Sequence, residues 1–495
     1  MATRPADFRR AVAPWVLSIC AVCVGGCKVG PNYSPPQELP SNTWSQKPTE
    51  AITAEAPELN EWWKRFNDPV LNQLIAQAEQ SNANLEMSLA NVRVALAVLG
   101  VSESRFWPSI SSAFSYSRNE TNISLIPAAG VESNPYSVWA AGVAMSKWEI
   151  DVWGRIARLV EASTASLQAT VEDLRGALVS VRAQVGTIYM QVRTLQAQLA
   201  ILKSATANCQ TVLDLANVRY RAGTNTLLDV YEAQMNLDAI EARIPQVEAD
   251  LAASIFSIAQ LCGTTPEPML LLIGPAAALP TGPDSVGVGI PADLLRRRPD
   301  VRGSERQVAA AIANIGANEA LNLPVFSLGG NFYLAANQFG SLGSAGNSAY
   351  GFGPTISWLI FQGGYVESLI AQSKGQAQVA LASYRNTVLE AIRDVETSIS
   401  SLVQARRAAQ SYGEALAAAT STFELAQLQF EAGTVDLNRL VMIQNNMLEV
   451  QSDYAESQGS VASGLVGLYR SLGGGWSDDP VNDEAAKAAA GKEQS

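Results

Sequence analysis

A run of apolar residues in a strict seven-residue rhythm limits what this chain can fold into. Val171, Leu174, Leu178, Val181, Val185, Ile188, Val192, Leu195, Leu199 and Leu202 follow one another at alternating steps of three and four. Such a repeat holds one apolar seam against a partner helix, as in a coiled coil. No proline occurs between Tyr136 and Ile244, so nothing forces a break. A helix from Gly154 to Arg221 has 68 residues. It is about 100 Å long at ~1.5 Å per residue, far beyond the ~12-residue helix of an ordinary core. This is rod or tube material.

The pattern occurs twice. Leu381, Tyr384, Val388, Ile392, Val395, Ile399 and Leu402 repeat the rhythm, again in a stretch free of proline from Thr355 to Asp479. Leu215-Ala216 and Tyr220-Arg221-Ala222-Gly223-Thr224 recur 210 positions later as Leu425-Ala426 and Phe430-Glu431-Ala432-Gly433-Thr434. Gln234 recurs as Gln444, Trp148 as Trp358, Ile150 as Ile360 and Gly154 as Gly364; upstream, Trp107-Pro108 answers Leu323-Pro324 at an offset of 216. Two copies of this length are a duplicated fold, not a solenoid. Each half reads as a moderate helix (about 70–104, then 292–319), two short alternating segments, a very long helix, a tight turn at Ala-Gly-Thr and a returning helix.

The short segments alternate as strands do. Phe352, Pro354, Ile356, Trp358 and Ile360 share one face, with Gly351, Gly353, Thr355 and Ser357 opposite. Phe326, Leu328, Phe332 and Leu334 oppose Ser327, Gly329 and Asn331, and Ile110, Phe114 and Tyr116 oppose serines 109, 111 and 115. The segment at 136–150 alternates less cleanly, although Trp139, Val143 and Met145 share a face. Strands of roughly 9–11 residues, apolar outside and small or polar inside, suit an outer-membrane barrel; soluble hairpins packed on helices would read alike. Four strands close no barrel, since the small ones need about eight, so a membrane-spanning form requires several chains. The longest later apolar stretches are interrupted by charges or Gln well before twenty residues, so no transmembrane helix is expected.

The N-terminus reads as an export signal over residues 1–26. Arg4, Arg9 and Arg10 precede an apolar run from Ala11 to Val24 that is too short for a membrane span. The sequence Val24-Gly25-Gly26-Cys27 resembles a lipobox, in which the cysteine thiol is acylated and becomes the new N-terminus. Lys28 in place of Asp after that cysteine favours sorting to the outer membrane. Loss of the signal leaves 31 basic against 45 acidic residues, a balance of −14 that argues against nucleic acid as partner. The chain has no histidine, which removes Ser-His-Asp, Cys-His and His-zinc chemistry together. Beyond Cys27 only Cys209 and Cys262 remain; Cys209 continues the first seam as a small core residue, and the two lie too far apart to bridge within one chain.

Three local patterns accompany the duplication: Cys27-Lys28-Val29-Gly30-Pro31-Asn32-Tyr33; Trp62-Trp63-Lys64-Arg65-Phe66-Asn67-Asp68-Pro69-Val70-Leu71; and Asp293-Leu294-Leu295-Arg296-Arg297-Arg298-Pro299-Asp300-Val301-Arg302 with Glu305. Together they resemble the TolC family, specifically the NodT-like lipoprotein branch of outer-membrane efflux factors, over nearly the whole mature chain. That resemblance implies an α plus transmembrane β fold: a duplicated strand-strand-long-helix-hairpin unit, with three chains sharing a twelve-stranded barrel and a twelve-helix periplasmic tunnel. The expected divisions are a signal (1–26), an N-terminal collar segment (27–65), a first repeat (66–262, strands about 108–118 and 137–150, hairpin 154–262) and a linker (263–291). A second repeat (292–472, strands about 324–334 and 350–361, hairpin 364–472) and a C-terminal collar with a disordered tail (473–495) complete the chain.

The function so implied is a passive exit duct for small molecules, coupled through a periplasmic adaptor to an inner-membrane transporter. It has no cofactor or metal, and carries covalent lipid (diacylglycerol and palmitate) on Cys27 as it sits among outer-membrane lipid. A lipid-anchored coiled-coil scaffold without a pore is the alternative, but it has no use for bilayer-length strands placed identically in both halves. No constellation for an enzyme is present. The periplasmic gate falls at the hairpin tips, where Gly223, Thr224, Gly433 and Thr434 are candidate adaptor contacts. Asp229 and Glu232 follow the first turn, Asp436 and Arg439 the second, with Asp229 and Arg439 at equivalent positions. Some family members carry paired acids after the second turn; Arg439 and Met442 stand there instead, which suggests ion-paired closure. Capping of the helix starts is the other reading, of equal weight for Asp229 and the preferred one for Asp436.

Overall fold

The computed structural model describes residues 28–36, 44–45, 52–53, 59–120, 135–291 and 297–476. The expected signal, Cys27, residues 292–296 and the C-terminal tail lie outside them. In chain order the principal elements are β1 (Ile52–Thr53), α1 (Pro69–Ser81), α2 (Ala83–Glu103), β2 (Ile110–Asn119), β3 (Tyr136–Ile150) and α3 (Arg155–Arg221). Then come α4 (Leu227–Glu241), α5 (Ile244–Leu261), α6 (Pro266–Ile273), β4 (Val286–Gly287), α7 (Pro299–Glu319), β5 (Val325–Ala336), β6 (Ser348–Ser357), α8 (Tyr365–Glu431) and α9 (Leu437–Ser471).

The two long helices, α3 and α8, have 67 residues each. On the expected seams Val181, Val185, Val192 and Leu202 are buried in α3, and Tyr384, Val388, Val395, Ile399 and Leu402 in α8. Both helices end alike, on a glycine at positive φ (77° at Gly223, 76° at Gly433), where a side chain would be strained. In the first turn Gly223 N–H donates to Tyr220 O and Thr224 N–H to Arg219 O. In the second Gly433 donates to Phe430 O and Thr434 to Gln429 O, each 210 positions on.

Elsewhere the halves differ. The first moderate helix is broken at Asn82, whose extended backbone starts α2 and whose Oδ1 accepts from Asn84 N and Leu85 N. The first returning helix is likewise two helices, parted just before Pro245, whereas α9 is unbroken. Pro245 lacks the N–H an unbroken helix needs, and is tolerated because it falls in the first turn of α5. Strand β6 stops at Ser357, so Trp358 and Ile360 leave the sheet that alternation assigned them to. Contrary to expectation, the helical stretch Ala83–Phe106 is long and apolar enough to cross a membrane, by length and composition. Met87, Val94, Val98 and Val101 on it are exposed.

The chain divides into two units. The first (1–36, 93–169, 305–383) carries one antiparallel sheet in the order β2-β3-β5-β6. Its register shifts between Met145 and Trp148, where Ser146 and Lys147 together oppose Gly329. This bulge reverses the alternation: Trp139, Val143 and Met145 share a face with Trp148 and Ile150. The second unit (37–92, 170–304, 384–495) holds the main core. There Trp62 stacks on Tyr469 at 5.6 Å, and Val185, Val192, Leu402, Leu465 and Val466 close around them. A second cluster joins the ends of α3 and α8 to α4 and α9 through Leu213, Ala216, Leu237, Phe430 and Leu440.

Candidate functional site

The sheet presents two chemically different faces. Cross-strand pairing sets Tyr116 beside Trp139, Val143 beside Phe332 and Phe332 beside Tyr350, and Ile110, Phe114, Phe352 and Ile356 lie on the same side; all are exposed except Trp139, which is half-buried. The opposite side carries Ser111, Ser115, Ala140, Gly142, Ala144, Ser327, Gly329, Asn331, Gly353 and Thr355, with Tyr136, Val138, Lys147, Glu149, Val325 and Tyr333 its larger members. Open apolar surface on this scale is unfavourable in water at about 25 cal/mol per Å² and marks contact with lipid or another chain.

Aromatic clusters bound that apolar face. At one end Tyr116, Trp139, Phe114 and Phe339 pack with ring centroids 4.5–6.3 Å apart. At the other, the Trp148 indole donates to Phe106 O and the Trp358 indole to Asn322 O, both at 3.0 Å. These two contacts are duplicates, since the donors repeat at the 210 offset and the acceptors at 216. From Trp139 to Trp148 is roughly 28 Å of strand, or about 22 Å at a ~40° tilt, close to the apolar height of an outer-membrane barrel.

Residues 28–33 are bound tightly into the same unit. The guanidinium of Arg158, 1% exposed, donates to Val29 O (3.1 Å), Gly30 O (3.2 Å), Asn32 Oδ1 (2.7 Å) and Glu161 Oε2 (3.0 Å). Val29 N–H donates to Trp153 O at 3.1 Å, and Tyr33 donates to Glu305 at 2.6 Å. A Cβ on Gly30, at φ +88°, would fall 2.4 Å from Gly316 Cα, so glycine is required for this approach. The motif after Cys27 is therefore a fitted strap. Sequence reasoning missed Arg158; its only signal was a cation one turn into a long helix.

The other motifs serve the core of the second unit. Asp68 caps α1 through Val70 N and Leu71 N, Pro69 fills the first helical position, and Tyr189 donates to the remaining Asp68 oxygen at 2.6 Å. Arg298 makes two bonds to Asp300 and one to Ser471 O at 3.1 Å, tying α7 to the end of α9. Glu172 receives both Arg175 (2.7 Å) and Arg302 (2.8 Å), whose guanidinium groups face the Trp476 ring. The two thiols are free and buried: Asn236 donates to Cys209 Sγ at 3.3 Å, and Cys262 lies against Leu74 O. Burial pushes both up to about 11.

At the tips, Gly223, Thr224, Gly433 and Thr434 are all exposed. Asp229 closes a capping box: its Oδ2 accepts from Thr226 N at 2.7 Å and Thr226 Oγ1 at 3.0 Å. Asp436 caps α9, accepting from Arg439 N at 2.7 Å. Within the chain no ion pair among the described residues joins Arg439 to Asp229 or Glu232. A different cation makes the cross-hairpin contact. Arg219 Nη2 donates to Phe430 O (2.5 Å) and Glu431 O (3.0 Å), with its guanidinium 4.3 Å from the Phe430 ring centre. It thus caps the end of α8 from the last turn of α3, satisfying carbonyls that the helix itself leaves open. The repeat offered one clue, because position 429, equivalent to 219, is glutamine.

Comparison with known proteins agrees with this geometry. The sequence matches the family described as "Outer membrane efflux protein" over residues 74–264 and 290–474, one match in each repeat. It is 27% identical over 471 residues to the antibiotic efflux pump outer membrane protein ArpC of Pseudomonas putida, covering 93% of this chain and 95% of that one. Nodulation protein T of Rhizobium leguminosarum bv. viciae is 25% identical over 487 residues, covering 98% and 97%. Among solved structures, the outer-membrane channel OprN superimposes with a TM-score of 0.83 at 31% identity, over 91% of this chain and all (100%) of that one. The Campylobacter jejuni CmeC outer membrane channel shares the fold at a TM-score of 0.85 and 19% identity, over 94% and 98%.

Proposed function

This chain belongs to the outer membrane efflux protein family, and we infer that it is the exit duct of an efflux pump, held in the outer membrane with a long periplasmic extension. The observation that carries the mechanism is the sheet: four strands, an exposed apolar face between two aromatic clusters, and an opposite face of small residues. Four strands are too few to close, so three chains contribute twelve, with the apolar face toward lipid and the small-residue face lining a water-filled lumen. The paired long helices of three chains supply the periplasmic tunnel.

Transport through such a duct is passive, and its energy comes from an inner-membrane transporter joined by a periplasmic adaptor that engages the exposed turns at 223–224 and 433–434. Cys27 carries the lipid anchor, diacylglycerol plus palmitate. Arg158 supports this reading, because its hold on residues 29–32, with Val29 N–H on Trp153 O, keeps the residues after Cys27 just past the end of β3, five positions beyond Trp148. The gate lies at the tips. Arg219 joins the two hairpins of one chain, while Arg439 and Glu232 are the groups left for ion pairing between neighbouring chains. Asp229 and Asp436 are occupied mainly in holding the helix starts. The residues outside the repeats form a collar around the core of the second unit.

Mild crosslinking in native cells followed by mass spectrometry tests the assignment. An adaptor and an inner-membrane transporter should be recovered with this chain. Recovery of the chain with cell-wall or scaffold components and no transporter would favour the pore-free scaffold.

A further inference from the structure

Lys147 occupies a special place on the sheet. The β3 bulge sets Ser146 and Lys147 together opposite Gly329. Ser146 is bonded to Ser109 through both backbone and hydroxyl, and Lys147 Cγ lies 4.0 Å from the Cβ position at Gly329. Both side chains therefore stand on the small-residue face. Without the extra residue, strict alternation would place one of them among the lipid-facing aromatics.

The four strands carry three charged residues, Arg118, Lys147 and Glu149. Arg118 is on the apolar face at the far end, paired in register with Ser137. Glu149 is on the small-residue face but is neutralised by Arg155, which grips it with two bonds at 2.8 and 2.5 Å. Lys147 has no ion-pair partner among the described residues, and its neighbours Gly329 and Ser146 are too small to cover it. Among the described residues it is the one uncompensated charge on that face.

We propose that Lys147 is a specificity-determining residue of the duct: three copies form a cationic ring inside the barrel that favours passage of anionic groups, such as the carboxylates of departing solutes. This rests on the assignment of the small-residue face to the lumen. The dimensions support a strong effect. Twelve strands at ~4.8 Å spacing and ~40° tilt give a backbone radius of roughly 12 Å. A lysine reaching inward brings its ammonium to about 6 Å from the axis, inside the ~10 Å screening length at 0.1 M salt. The whole cross-section lies within reach of the ring. The chain as a whole is acidic, with 34 basic against 46 acidic residues, so the ring opposes the prevailing field.

Reversal potentials of the purified full-length protein in planar bilayers, under a tenfold KCl gradient, test this. Lys147→Gln should shift the cation-to-anion permeability ratio toward cations by about threefold or more, and Lys147→Glu further still, with both shifts shrinking at molar salt where screening falls to ~3 Å. Lys147→Cys, modified by a positively charged thiol reagent, should return the ratio toward wild type; Cys209 and Cys262 are buried and leave the background silent. If the variants form channels of ordinary number whose ratio matches wild type, Lys147 does not face the permeation path and the inference is overturned. If wild-type protein itself forms no channels, the duct reading fails, and this inference with it.

Discussion

Replacing Arg219 by glutamine, the residue its own second repeat carries at the equivalent position 429, should loosen the tip of the duct. Two charge-assisted bonds to Phe430 O and Glu431 O would be lost, together with the contact to the Phe430 ring. A hydrogen bond to a charged group contributes about 1.5–3 kcal/mol, a cation over an aromatic face about 0.5–1 at exposed sites, and a cation at a helix C-terminus about 0.3–1. These terms overlap on one guanidinium whose bond to Glu431 is solvent-exposed, so the net is about 2 kcal/mol per chain, or roughly 30-fold in a local opening equilibrium. Arg219→Gln keeps side-chain length and helix propensity, so the fold should persist. Single-channel recordings should show a larger mean conductance or frequent openings, and cells should become more sensitive to vancomycin. Arg219→Lys, which keeps the charge and loses the planar fork, should fall between. Conductance and sensitivity equal to wild type in Arg219→Gln would refute the hairpin latch.

Four further outcomes are expected. Arg439→Glu should raise conductance by placing carboxylates in a ring, and the exchange Glu232→Arg with Arg439→Glu should restore it; an exchange without rescue argues against pairing between chains. Arg158→Met should free the strap, raising hydrogen exchange at Val29 N–H by roughly 150-fold from the loss of a buried cation worth about 3 kcal/mol, while the sheet amides stay protected. Unchanged exchange would show that Arg158 does not hold it. Cys209 and Cys262 should resist alkylation at pH 8 until the protein is unfolded; since burial raises both thiols from 9.0 to about 11, stability should fall as pH climbs through that interval. Rapid labelling of native protein would contradict their burial. Cys27→Ser should abolish metabolic labelling with palmitate, and label that persists would exclude Cys27 as the acylated residue.

The parts of this fold that repeat were legible in the sequence. A seven-residue seam needs only one side chain per turn to be apolar, so α3 could be read to within a residue at both ends and α8 at its start. The middle of α3 could not be read so simply, because Tyr189, Met190, Arg193 and Gln196 are buried as well as the seam. Chain segments distant in sequence, such as 273–275, cover that side, as the Gln196 amide shows by donating to Ile273 O. Strand β3 looked irregular because one extra residue reverses its alternation, and periodicity alone does not locate a bulge. The breaks at Asn82 and before Pro245 were obscured by the second repeat, where α9 is continuous. Glycine chemistry located the two turns, at Gly223 and Gly433, where the proposed gate lies. That Asp229 turns back on Thr226 fits local capping, whereas the reach of Arg219 to Phe430 joins residues more than two hundred positions apart, which no local rule reveals.

The central claim is that this chain becomes a channel only by sharing its strands. Native mass spectrometry of detergent-purified protein, paired with conductance measurements on the same fraction, tests it most directly. Conductance should travel with particles of three chains and disappear when those particles are dissociated. A stable single chain that conducts ions would contradict the shared barrel, and with it the assignment of the small-residue face to a common lumen.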